Sequence, residues 1–456
     1  MKDIKDQLTA ISLLDGRNWD KVKSVAEYFS EFALMRYRIR IEVSYLQFLS
    51  SIGIVRSLTN GEKKLLDKLW KQFDLNDGHT VKEFEKKTNH DVKAIEYYIQ
   101  QKCKNGSLTD LIPFIHIGLT SYDINIPAYA LMISDFRKDV YLPSLSNVLV
   151  RLKTLIVETQ TMVMLGRTHG QPALPTTLGK ELAVYYQRLK KEKENLARIQ
   201  IEAKLTGAVG NFNALYFIDP KYDWLKFSSE FISSLKLTPN LITTQILPYD
   251  SWINLFDALR RINNILLGFS QDIWWYISFE YFLQKKKEAE VGSSTMSHKI
   301  NPITFENAEG NLGIANSLFE FFSRKLSYSR LQRDLSDSTV KRDFGLAFGF
   351  SLLAYDSLLS GLKRIKPNPS KMKEDLDKHW EIFSEGIQTY LRMKGLKNAY
   401  ELLKEKTRGR TLSKEQLYKI IDSLPLEKSD KEKLKIKDLS NYSGLARELA
   451  EIAIQE

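Results

Sequence analysis

Residues 289–302 read AEVGSSTMSHKINP, and this short stretch gathers two serine hydroxyls (Ser293, Ser294), an imidazole (His298), an ammonium (Lys299) and an Asn301-Pro302 pair. Gly292 gives the segment backbone freedom. Pro302 suits a first helical position, and Glu306 suits the first turn that follows. Lys299 and the backbone amides ahead of such a helix form an anion site on first principles. A capped linker explains Asn301 and Pro302, but not Ser293, Ser294, His298 and Lys299 together.

Four more clusters carry groups of the same kind. In LGRTHGQPALPTTLGKELA, His169 lies in a loop stiffened by Pro172 and Pro175 ahead of a long helix. A structural histidine usually rides on a regular apolar face, and this one does not. TNHDVKAIEYY sets Asn89, His90 and Asp91 before a helix, and IHIGLTSYDINIPA sets out His116, Thr120 and Ser121; a helix cap or turn explains either as well as chemistry does. SRLQRDLSDSTVKRD brings Arg330, Arg333 and Arg342 near the hydroxyls of Ser338 and Thr339, a set suited to phosphate, with a salt-bridged surface through Asp334, Asp337 and Asp343 as the competing explanation. The inventory holds an acid, hydroxyls and cationic anchors, but no metal triad, P-loop or Gly-rich dinucleotide turn. It suits acid–base chemistry on a polyanionic small molecule without naming the reaction.

Helices must position these groups. The 12 prolines cluster at helix boundaries, and between them apolar residues recur with helical spacing. After Pro248, the residues Leu255, Leu259, Ile262, Leu266, Phe269, Ile273 and Tyr276 form one stripe at steps of four and three. A helix from Asp250 to about Glu290 would be about 60 Å long. It carries Trp252, Phe256, Trp274, Trp275, Ile277 and Phe279 off that stripe, too much apolar surface for one neighbour. A bundle that includes other subunits would cover it. Further long helices are expected at about 144–165, 177–204, 303–326 and 338–364, with strand signals sparse. The expected fold is all-α with three helical domains: residues 1–112, a central long-helix bundle at 113–364 that assembles into a multi-subunit core, and 365–456 after the IKPNPSK junction.

Bulk properties narrow the function classes. With 456 residues, one core is not expected to serve the whole chain. The net charge of +11 admits either a polyanion binder or a collector of small anions. The nearest thing to a basic binding run, LEKSDKEKLKIKDL, is diluted by acidic residues and reads as a solvated helix face. Cys103 is the sole cysteine, so neither a disulfide framework nor a Cys-based zinc site is expected. No secretory leader opens the sequence, and no window approaches the roughly 18 uncharged apolar residues of a membrane span. A cytoplasmic location is the expectation.

GSSTMSHKINP resembles the signature loop of the fumarase/aspartase superfamily, GSS-x-MP-x-K-x-NP. TNHDVKA, TSYDIN, RTHGQPALPTTLGKE, GAVGNFNA, TTQILPYD and QRDLSDSTVKR resemble the adenylosuccinate lyase family within it, in its bacterial form. The matches run in order from LLDGRNWDKV to KTRGRTLS and so span nearly the whole chain. The resemblance implies a three-domain helical subunit in a homotetramer whose sites combine loops of three subunits. It implies cleavage of adenylosuccinate to AMP and fumarate, and of SAICAR to AICAR and fumarate, in purine synthesis. No metal or organic cofactor, nucleic acid or membrane partner is implied.

By the same resemblance Ser293 is the base that takes the proton beside a carboxylate, and His169 is the acid that protonates the departing nitrogen. Arg17 meets the phosphate, with Asn18 where the family usually has Tyr; Asn89, His90 and Asp91 line the site; Thr120 and Ser121 contact the succinyl carboxylate. Gln245, Ser294, Lys299, Ile300, Asn301 and Asn307 surround the substrate, and Arg333, Ser338, Thr339, Val340, Lys341 and Arg342 complete its carboxylate and phosphate ends. Ser297 replaces the signature proline and removes a fixed φ angle from the loop. A sister lyase acting on argininosuccinate, aspartate or fumarate is the nearest rival, but it has no task for a phosphate anchor. A non-enzymatic scaffold is the rival from another class.

Overall fold

The computed structural model describes residues 7–285, 296 and 299–455. Gly292, Ser293, Ser294, Ser297 and His298 lie outside the described residues. The fold is all-α, 69% helical with a few short strands.

The chain packs as two compact units, each discontinuous in sequence: residues 1–145, 192–264 and 310–356 in one, and 146–191, 265–309 and 357–456 in the other. In the first unit, α1 (Glu31–Ser51), α2 (Leu75–Thr88), α3 (Asp91–Cys103) and α4 (Ser121–Phe136) surround the expected joints at 89–91 and 120–121. Aromatic rings fill its core: Phe256 meets Phe344 at 4.9 Å, Phe322 meets Phe344 at 5.0 Å, and Phe348 meets Phe136 at 4.8 Å between ring centres. Such pairs add specific geometry to the area they bury. A polar ladder threads the same core without leaving a partner unmade. Tyr355 donates to Asn263 Oδ1 at 3.0 Å, and Asn263 donates to Ser351 Oγ at 3.0 Å.

Between α4 and α5 (Leu142–Thr159) the ladder slips into a π-helical turn at Arg137–Tyr141. Pro143 follows at once; its missing N–H and its ring disfavour a regular i→i−4 ladder there. The runs 121–159 and 336–364 are long and apolar by composition, but charges interrupt both, and 39% and 67% of their most apolar windows are buried in protein.

The second unit contains an element the sequence reading left out. β1 (Val163–Thr168) and β2 (Gln171–Thr177) form an antiparallel hairpin where an irregular loop was expected, leading into α6 (Leu178–Arg198). Leu165, on β1, belongs to the hydrophobic cluster of the C-terminal helices, with Leu376, Trp380, Phe383, Ile387 and Leu417.

The longest α-helix among the described residues, α7, runs Asp250–Ser278, about 44 Å at 1.5 Å per residue, and stops twelve residues before the expected end. Glu280 then adopts a left-handed conformation with φ of 62°, and Phe282–Gln284 pairs antiparallel with Ile365–Pro367. α8 spans Ile303–Leu326, the range expected. Pro302 O accepts from Phe305 N at 3.0 Å and from Glu306 N at 3.3 Å, so Pro302 occupies the cap position expected of Asn301. α9 (Ser336–Arg342), α10 (Phe344–Arg364) and α11 (Pro369–Asp377) follow.

Candidate active site

In the first unit, the joint between α2 and α3 is built by three successive residues. Asn89 closes α2 in a left-handed conformation with φ of 50°. His90 caps α3, its Nδ1 accepting from Lys93 N at 3.1 Å, so the imidazole itself supplies the cap. That bond leaves Nε2 facing Ser121 Oγ, 3.5 Å away at the start of α4. Asp91 accepts from Arg38 Nη2 at 2.7 Å and from Arg342 Nη2 at 3.0 Å. Burial works to raise the Asp91 carboxyl pKa, but the guanidinium groups of Arg38 and Arg342 outweigh it and hold the group below the ordinary range. Arg342, expected at the anionic end of a substrate, is therefore oriented by Asp91 on a different helix.

A cavity of about 560 Å³ opens beside this joint, lined by Thr88, His90, Lys93, His116, Thr120 and Ser121 among others. His116 sits at φ of 64° with Nδ1 2.6 Å from Glu42 Oε1. Burial lowers its pKa, but Glu42 more than compensates and the net shift is upward. Glu42, 3% exposed in the middle of α1, gave no signal in sequence, where it reads as one more acidic residue on a helix.

A second hub ties the loops together from beneath. Asp123 and Lys204 form an ion pair of 2.9 Å with both side chains 0% exposed. Asp123 accepts from the backbone amides of Thr120, at 3.0 Å, and of Thr206 and Gly207, at 3.0 and 3.2 Å. Lys204 donates to the carbonyls of Gly207 at 3.1 Å and Gln245 at 2.9 Å. Three loop segments, TSYD, TGAVGN and TTQ, therefore hang on one buried pair. Gln245 in turn donates to Ala208 O at 3.0 Å and accepts from Arg333 Nη1 at 2.7 Å. The Arg333 guanidinium lies 4.0 Å above the centre of the Tyr122 ring.

On α9 the helical period divides the expected run in two. Asp337, Val340 and Lys341 are buried, whereas Ser338 is half-buried and Thr339 and Arg342 are exposed. Lys341 is 2% exposed; its Nζ donates to Tyr249 OH at 2.7 Å and to Asp337, which also accepts from Tyr122 OH at 2.7 Å. Burial lowers the Lys341 pKa to about 8 against the pull of Asp337. The side chains of Val340 and Lys341 thus serve the interior, leaving Ser338, Thr339 and Arg342 as the accessible groups of the run.

Arg17 is exposed and Asn18 half-buried, with Asn18 N donating to Leu13 O at 3.0 Å. A cavity of about 220 Å³ is lined by Asp15 and Trp19, on either side of them, together with Arg342 and Asp343.

His169, Lys299, Ile300, Asn301 and Asn307 belong to the second unit. His169 and Gly170 are the two central residues of the hairpin turn, with φ of 53° and 73°. Positive φ at both positions is what a type I′ turn demands, and it matches the twist of the flanking strands. The imidazole is consequently exposed at a tip. Opposite Gly166 the register shifts between Leu165–Pro175 and Arg167–Pro172, placing one extra residue on β2. A Cβ on Gly166 would lie 2.6 Å from Leu174 O, so only glycine fits beside this bulge. Lys299 is exposed, its N–H donating to Met296 O at 3.1 Å, and Ile300 O accepts from Gln284 Nε2 at 2.8 Å.

Comparison with known proteins adds the family context. A lyase family model matches residues 18–315, and an adenylosuccinate lyase C-terminal model matches 329–443. The chain is 47% identical to an adenylosuccinate lyase of Legionella pneumophila strain Philadelphia 1 over 97% of this chain and 98% of that one. It is 41% identical to the adenylosuccinate lyase of Escherichia coli K12 over 96% and 97%. Among solved structures, β-carboxy-cis,cis-muconate cycloisomerase from Acinetobacter calcoaceticus superposes with a TM-score of 0.73 at 19% identity, covering 95% of this chain and 97% of that one. A fumarate lyase from Mesorhizobium superposes with a TM-score of 0.75 at 18% identity over 95% and 97%.

Proposed function

The chain belongs to the adenylosuccinate lyase family of the fumarase/aspartase superfamily and is a carbon–nitrogen lyase; from that premise we propose how its residues eliminate fumarate from adenylosuccinate, leaving AMP, and from SAICAR, leaving AICAR. The elimination removes a proton from the carbon beside a carboxylate, generates a doubly charged aci-carboxylate and then breaks the C–N bond. Stabilising that charge is the largest task. Lys299, Asn301 and the start of α8 supply it, with Thr120 and Ser121 on the other succinyl carboxylate. Ser293 takes the proton, its oxyanion held by backbone amides of the Gly-Ser-Ser segment once water is excluded. His169 donates a proton to the leaving nitrogen, a step typically worth about 10² to 10⁴ in rate.

The phosphate end is assigned to Arg17, Arg333 and Arg342 with Ser338 and Thr339. Asn89, His90, Asp91, Gln245, Ser294, Ile300 and Asn307 complete the walls, and Val340 and Lys341 contribute through the backbone of α9. The observation that carries this reading is the pairing of Asp91 with Arg342 beside His90 and Ser121, which gathers three separate sequence clusters at one joint. A homotetramer with sites shared between subunits also belongs to the proposal. Exposed apolar residues on long helices, among them Val150, Val157, Val184, Ile314 and Phe321, support it by offering faces for other copies. Three domains at 1–112, 113–364 and 365–456, a cytoplasmic location, and no nucleic-acid or membrane partner complete it.

The direct test is fumarate release by the purified protein, followed spectrophotometrically, with adenylosuccinate and SAICAR each as sole substrate. Release from both is expected. Release from argininosuccinate or aspartate instead would transfer the assignment to a sister lyase.

A further inference from the structure

The hairpin that carries His169 has two supports of different kinds. Its stem is held by apolar packing, with Leu165 2% exposed within the C-terminal cluster. Beyond the bulge that packing ends, because Gly166 has no side chain and Thr168, His169 and Gly170 are exposed. One side chain spans the gap between stem and tip. Arg167 Nη2 donates to Asp375 Oδ2 on α11 at 2.7 Å, and its guanidinium lies 5.0 Å from the centre of the Phe279 ring.

Asp375 is itself fixed. Tyr281 OH donates to its Oδ2 at 2.6 Å. Asn368, which caps α11, donates from its backbone N–H to Tyr281 O at 2.8 Å and from Nδ2 to Glu280 O at 3.0 Å. The end of α7, the start of α11 and the penultimate pair of the hairpin therefore converge on one carboxylate.

We propose that Asp375 is a positioning residue for the reaction: through Arg167, it sets the orientation of the turn that presents the His169 imidazole. The inference rests on the reading of His169 as the proton donor. It gives the C-terminal helices a part in turnover, because Asp375 acts through a charge two positions from the acid. Proton transfer is sensitive to placement, and a displacement of about 1 Å can reduce turnover by about 100-fold. Substrate affinity, which depends mostly on other groups, should change little.

The test is steady-state kinetics on full-length Asp375→Ala, Asp375→Asn, Tyr281→Phe, Arg167→Met and the double variant Arg167→Met/Asp375→Leu, with His169→Ala in parallel. Asp375→Ala is expected to lower kcat by roughly tenfold or more while KM stays within roughly threefold. The double variant should lose no more than the worse single one, because both substitutions break one link. Tyr281→Phe should show the same pattern more weakly. It carries the test if an Asp375 variant fails to fold. Unchanged kcat per folded enzyme in the Asp375 and Tyr281 variants, or a raised KM with kcat intact, overturns the inference while an inactive His169→Ala leaves the parent reading standing. Full turnover by His169→Ala removes the parent reading instead.

Discussion

Lys204 illustrates how much one buried charge can hold. Its ammonium is 0% exposed, paired with Asp123 and bonded to two loop carbonyls, so Lys204→Met strands a carboxylate in the interior. Removing one member of such a pair typically costs about 3–5 kcal/mol. We expect a loss of that order in chemical denaturation, together with a raised KM from the slackened Gln245 segment. A second expectation concerns acid. Asp91 and Asp337 both have folded-state pKa values depressed below the ordinary range; burial opposes the shift, and Arg38 in one case and Lys341 in the other overcome it. A depressed carboxyl stabilises fully above its unfolded value, about 3.9, and that contribution fades as pH falls through the folded one. Melting temperature should therefore fall more steeply below pH 4 in the parent protein than in Asp337→Asn. The candidate site residues stand out in the sequence because their types are out of place: an imidazole in a proline-stiffened loop and arginines beside hydroxyls. Glu42, Asp123 and Lys204 do not, since each reads as an ordinary helix or loop charge until its partner is known.

At the level of elements, what could be read followed from periodicity. The stripe from Leu255 to Tyr276 belongs to a helix that indeed spans Asp250–Ser278. Its end could not be placed, because the aromatic run through Phe279 continues the apolar pattern past the point where Glu280 turns left-handed. The His169 hairpin stayed hidden for a different reason: Pro172 and Pro175 argue against a strand, but in a two-stranded sheet each strand has an open edge where proline is tolerated, and the register also shifts at a bulge opposite Gly166. That bulge is testable. Gly166→Ala would drive a methyl to 2.6 Å from Leu174 O, and overpacking of this kind costs about 1–3 kcal/mol. We expect a lowered melting temperature and a disproportionate loss of kcat, because the strain falls three residues from the turn.

Over the whole molecule, the proposed site residues divide by unit: Arg17, Asn89–Asp91, Thr120, Ser121, Gln245 and 333–342 in one, His169 and 299–307 in the other. The proposed sharing of sites between subunits predicts complementation. Mixing inactive Ser293→Ala with inactive His169→Ala, after dissociation and reassembly, is expected to restore up to about a quarter of parental activity, the share of sites that draws both intact residues when assembly is random. No recovery in reassembled mixtures would count against shared sites. No periodicity could have announced the division, because each unit is assembled from three stretches far apart in sequence.

At φ of 53° the residue in position 169 carries a side chain where the backbone would be more at ease without one. Breeding this enzyme for heat tolerance alone would pull that position toward glycine or asparagine. Under the proposed role of His169 the survivors would be sturdier and inert, so any such campaign has to score fumarate alongside endurance.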